Sequence, residues 1–95
     1  MKANFNRLAE AELVAAARDL QAEAGLGGEF LEEYQSWERR TLRFPASAPE
    51  IVPGIRCGYL PRFKYHVTYT IRGDTLRILY VRSARQAPLR DLLRR

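Results

Sequence analysis

Six cations in the second half of the chain, Arg56, Arg62, Lys64, Arg77, Arg82 and Arg85, are the side chains best suited to binding chemistry. A guanidinium grips phosphate or carboxylate through two parallel hydrogen bonds and sheds water more readily than an ammonium. The bias behind these residues is large. Residues 1–50 hold six basic and nine acidic side chains, net −3, whereas residues 51–95 hold ten basic and two acidic ones, net +8. Fourteen of the sixteen basic residues are arginine, so the implied partner is an anionic surface, either nucleic acid or an acidic protein. For any single residue a solvated sheet surface is the competing reading, and the charge asymmetry favours the set taken together.

Other chemistry is sparse. His66, the one histidine, is a weak acid–base candidate on a strand among Thr68 and Thr70. Cys57 has no histidine or aspartate beside it in sequence to activate it, and reads as a small, half-buried residue. One cysteine excludes an intramolecular disulfide, and one cysteine with one histidine are too few soft ligands for a structural zinc site. No metal or cofactor is implied. Phe30, Tyr34 and Trp37 would suit base stacking, but their helical spacing reads as core packing. No run approaches the roughly 18 apolar residues of a membrane span, and the opening Met1–Asn6 lacks the apolar core of a secretory signal. A cytoplasmic protein of one domain, residues 1–95, is expected.

The elements that would position these residues follow from periodicity. Lys2–Phe5 suits a short strand, and Asn6 is a fitting N-cap for a helix running to about Ala24, with Leu13, Ala17, Leu20 and Ala24 on one stripe. Gly25–Gly28 would end it, and a second helix, with Phe30, Tyr34, Trp37 and Thr41 in register, would run to about Phe44. Three prolines between residues 45 and 53 mark a connection. Three strands are expected at about 55–60, 63–72 and 75–83, forming an antiparallel meander. A two-residue turn at Gly73-Asp74 would pair Ile71 with Leu76, Tyr69 with Ile78 and Val67 with Tyr80. In that register Arg82 shares a side with Tyr65 and Tyr80, where it would snorkel from the core edge. Pro88–Arg95 suits a short C-terminal helix whose Leu89, Leu92 and Leu93 would cover the core or dock a partner. The fold class is α+β: a helical hairpin on one face of a mainly antiparallel four-stranded sheet, in the order β-α-α-β-β-β.

The stretch Pro53–Val81 combines an Arg on the second strand, Arg62-Phe-Lys-Tyr-His-Val-Thr-Tyr69 on the third, and Gly73-Asp74 leading into Ile78-Leu-Tyr-Val81. With Phe5–Leu13 and Gly27–Glu33 as helix starts, it resembles the RelE/ParE superfamily of bacterial toxins from type II toxin–antitoxin systems, closest to the ParE branch. The likeness covers about residues 3–88 and rests on order and spacing taken together. It implies a growth-inhibiting toxin that binds DNA gyrase without cleaving bonds and is neutralised by a cognate antitoxin. The RelE branch implies the alternative, a ribosome-dependent endonuclease acting on messenger RNA.

The departures from the family bear on that choice. Where the family often carries a His followed by Arg-Arg-Asp-Pro, this chain reads Ser83-Ala-Arg-Gln-Ala-Pro88, keeping Arg85 and Pro88. No Tyr or His follows Tyr80, so the proton-transfer group that RNA cleavage needs is missing from its usual place. A binding toxin is therefore favoured over an enzyme. An inactive member that only binds its antitoxin is the third reading.

Overall fold

The computed structural model describes residues 1–86. Strand β1 (Lys2–Phe5) leads into α1 (Arg7–Ala24) and α2 (Gly27–Arg43), followed by β2 (Glu50–Val52), β3 (Ile55–Leu60), β4 (Tyr65–Arg72) and β5 (Thr75–Ser83). The α+β class and the element order match expectation, with one strand more than the four foreseen. The strands form one mixed sheet in the order β1-β5-β4-β3-β2, in which β1 runs parallel to β5 and the other pairs are antiparallel. The Pro88–Arg95 helix falls outside the described residues.

Asn6 caps α1 as anticipated, its Oδ1 accepting from the Leu8 N–H at 2.9 Å. Gly25 ends the helix at φ +69°, a conformation that costs glycine nothing. Gly27 and Gly28 belong to the first turn of α2 rather than to the connection. A Cβ on Gly27 would press on the Ala17 carbonyl oxygen and Gln21 Cβ, so its bareness lets the two helices meet. That contact explains a shift in the apolar stripe of α1. Ala9, Leu13 and Ala16 are the buried residues, Ala17 and Leu20 are partly buried, and Ala24 is exposed. One face of the helix serves the sheet and an adjacent one serves α2.

The core lies between the hairpin and the sheet. Phe30, Tyr34 and Trp37 from α2 meet Leu60, Val67, Tyr69, Leu76, Ile78 and Val81 from the strands. Phe30 is fully buried, edge-on to Phe63 at 5.6 Å and tilted against Tyr65 at 4.9 Å. Gly58 faces Trp37, and any Cβ there would collide with the indole.

Two features escaped the sequence pattern. Glu50–Val52 pairs with β3 although prolines flank it, because an edge strand needs only one row of hydrogen bonds. The expected alignment of Ile71 with Leu76 and Tyr69 with Ile78 holds, but a bulge then inserts Leu79, so Thr68 faces Tyr80 and Val67 faces Val81. Arg82 consequently lies opposite His66, while Tyr65 faces Ser83, so Arg82 and Tyr65 are on opposite faces. Beside the bulge, Val81 N–H donates to Glu12 of α1 at 3.1 Å. Leu79 and Tyr80 join Ile55 and Val52 in a second, smaller cluster.

Candidate functional site

The turn between β3 and β4 brings three of the six cations to one end of the molecule. Lys64 N–H donates to the Leu60 carbonyl at 2.8 Å, which holds Lys64 at φ +59°, a left-handed conformation uncommon for a residue with a Cβ. From α2, the Glu33 carboxylate accepts the backbone N–H groups of Arg62 at 2.9 Å and Phe63 at 3.3 Å. The Arg62 guanidinium lies over the Phe63 ring, 5.0 Å from its centre, and 3.3 Å from Glu29 Oε2. Both partners of that ion pair are about half exposed, so its value is small.

A second tie recruits the chain beyond β5. Ala84 N–H donates to the Lys64 carbonyl at 2.8 Å, and Arg85 N–H donates to Ser83 Oγ at 3.2 Å. These bonds set Arg85 beside the turn. The result is a groove of about 390 Å³ lined by Arg62, Lys64 and Arg85 together with Asp19 and Glu23 of α1, Tyr65 and Ser83. Burial, helped by Asp19 and Glu23 and opposed by Arg85, pushes the Tyr65 phenol above its ordinary range, which keeps it protonated at neutral pH. The groove therefore offers cations, carboxylates and one phenolic proton donor. Tyr65 was overlooked in the sequence because strand alternation assigns it to the core; only the tie from residue 84 makes it part of a groove wall.

The other cations lie elsewhere. Arg56 reaches the carbonyls of Ala46 at 3.1 Å and Ala48 at 2.6 Å and pairs with Glu50 at 3.3 Å, so it staples the loop before β2 to β3. Arg77 donates to Asn4 Oδ1 at 3.1 Å and to the Phe5 carbonyl at 3.4 Å, tying β1 to β5. Arg82 sits across from His66, away from the groove.

Cys57 is half-buried, as its sequence context suggests, and strand pairing brings it beside the histidine that is distant in sequence. Its Sγ is 3.6 Å from His66 Nδ1. Burial pushes the thiol upward, with a Thr68 hydrogen bond working the other way, which disfavours a nucleophilic thiolate at neutral pH. Among the described residues no group of three or more His, Cys, Asp or Glu is placed to hold a metal ion, and no helix is long and apolar enough to cross a membrane.

No protein-family model matches the sequence, and no curated protein matches it. Among solved structures, the chain is similar to one described as the chromosomal ParDE TA system from P. aeruginosa. The TM-score is 0.64 at 21% identity over 87% of this chain and 95% of the other. At that identity the likeness establishes a shared fold.

Proposed function

We propose that the chain is a ParE-like toxin that arrests growth by binding DNA gyrase and is neutralised by a cognate antitoxin. The observation that carries this reading is the groove at the β3–β4 turn, where Arg62, Lys64 and Arg85 converge on a fold shared with a chain of a ParDE system. A binding poison needs only a complementary surface, and this end supplies three cations carried on backbone that hydrogen bonds hold in place. No histidine lines the groove, and a binding poison asks no proton transfer of the Asp19 and Glu23 carboxylates or the Tyr65 phenol that line it.

The test is supercoiling by purified gyrase in the presence of the purified chain. Inhibition is expected, with replacement of Arg85 by Ala, or of Arg62 and Lys64 together, weakening it at least about tenfold, since a charge-assisted hydrogen bond is worth about 1.5–3 kcal/mol. Normal growth on full induction, with gyrase unaffected, would remove the toxin reading.

One observation favours a second reading, cleavage of messenger RNA on the ribosome. Tyr65 stands among the same cations and can protonate a leaving oxygen, a role for which no Tyr or His follows Tyr80. Cuts in ribosome-bound messenger RNA that disappear in Tyr65→Phe, with supercoiling untouched, would establish that reading in place of the first.

A further inference from the structure

Strand β3 runs from Ile55 to Leu60, but its outer neighbour β2 is only three residues long and pairs with Ile55 and Arg56 alone. Past that point Cys57–Leu60 is the margin of the sheet. The Cys57 N–H points outward, donating to the Pro49 carbonyl at 3.0 Å. Backbone groups of an antiparallel strand change sides with a period of two, so the Tyr59 N–H and carbonyl also point outward, where β2 no longer reaches. Proteins commonly guard such an edge with charge, proline or a bulge, and Cys57-Gly-Tyr-Leu60 carries none of the three.

This margin is also apolar. Ile51 and Tyr59 are 45% and 43% exposed, and with Trp37, Pro49 and His66 they line a groove of about 520 Å³. Because Gly58 has no side chain, the Trp37 indole reaches through to the groove. The charges nearby select an occupant. Glu33, Ser36 and Arg40 lie on one flank of α2 at helical spacing, and Glu33 bonds the backbone just after β3, so this flank overlooks the open edge. The carboxylates there are committed, Glu33 to two N–H groups and Glu50 to Arg56 and the Gly54 N–H. Arg40 is exposed, and among the described residues its guanidinium meets only the Ser36 hydroxyl. A second copy docking edge to edge would bring the same cation with it, whereas an acidic strand would neutralise it. We propose that the open edge of β3 takes an acidic, extended peptide segment of a partner as an added strand, with one of its apolar side chains in the groove beside Trp37. Main-chain hydrogen bonds to Tyr59 would supply affinity, and the groove would select the side chain. The groove shares no lining residue with the one at the β3–β4 turn, and the proposal does not rest on the gyrase reading.

The probes are synthetic peptides of about six residues, the usual strand length, that alternate Asp or Glu with Val, Ile or Leu. Binding to the full chain should change the fluorescence of Trp37, its one tryptophan, and slow amide exchange at Tyr59. N-methylation of the peptide at the positions that face β3 should weaken binding at least about tenfold, because it removes the donors that meet the sheet edge. Arg40→Glu, a change at an exposed position, should weaken binding about fivefold and shift preference to peptides carrying Lys in place of the acids. If no peptide of the set slows exchange at Tyr59, if the N-methylated peptides bind as tightly, or if Arg40→Glu binds acidic peptides unchanged, the proposal fails. A dimer of the chain alone that protects the Tyr59 amide would overturn it as well, by giving the edge to a second copy.

Discussion

Lys64 combines a strained backbone with a place in the candidate site, and the two properties can be separated by substitution. Its φ of +59° costs a residue with a Cβ about 1–2 kcal/mol, while glycine adopts that conformation freely but loses about 0.5–1 kcal/mol more chain entropy on folding. Lys64→Gly should therefore stabilise the fold by about 0.5–1 kcal/mol, and Lys64→Ala, which keeps the strain, should not. In a chain of this size about 1 kcal/mol moves Tm by about 4–8 °C, so thermal melts resolve the difference. Both variants lose the ammonium equally, so on the proposed gyrase-binding function both should inhibit about tenfold less well, one charge-assisted contact being worth about 1.5–3 kcal/mol. If Lys64→Gly melts no higher than Lys64→Ala, the backbone argument fails. If either variant inhibits as well as the parent, Lys64 is no part of the binding surface.

Three further outcomes follow from the same structure. Tyr34 is 3% exposed and donates to Glu38 at 2.6 Å; burial first, and that carboxylate second, push its pKa far above the ordinary 10.0. Its contribution is complete below pH 10, and stability falls above it because only the unfolded chain ionises there, by up to about 1.4 kcal/mol per pH unit. Urea melts of Tyr34→Phe between pH 8 and 11 should show a shallower decline, and an unchanged slope would contradict this account. Gly58→Ala drives a methyl into the Trp37 indole and should cost about 1–3 kcal/mol, read in the same melts, with a neutral result showing that the indole can move aside. Glu33→Gln weakens the hold on the Arg62 and Phe63 N–H groups, so it should speed amide exchange at those two positions before it lowers Tm; equal exchange in both proteins would count against it.

The sequence made the elements legible where one period dominated. Strict alternation from Tyr65 to Arg72 and the Gly73-Asp74 turn fixed the β4–β5 pairing up to Tyr69, and the spacing of Phe30, Tyr34 and Trp37 correctly placed all three in the core. What failed was whatever depends on a single inserted or missing residue. Leu79 leaves no mark in an unbroken apolar run, yet its bulge exchanges the faces of every residue after it and so moved Arg82 away from Tyr65. The site was legible only as a charge excess. Which cations converge depends on bonds between residues far apart in sequence, such as Ala84 with Lys64 and Glu33 with Arg62, and no local pattern encodes those.

The two arginines held inside the fold sharpen the meaning of the rest. Glu50 and the carbonyls of Ala46 and Ala48 take Arg56, and Asn4 and the Phe5 carbonyl take Arg77, in each case securing a segment at one margin of the sheet. Net charge therefore overstates the binding surface, since part of it works as internal staples. At the β3–β4 turn the relation is reversed. There the fold spends an acidic residue, Glu33, on two N–H groups to hold a cationic turn in one conformation, and one backbone bond from Ala84 delivers Arg85 to the same opening. A surface chosen only for solubility has no need of such restraint, whereas a partner-binding surface gains from it because less freedom is lost on docking. The restraint, more than the number of charges, is the reason this end of the molecule is proposed as the one that meets a partner.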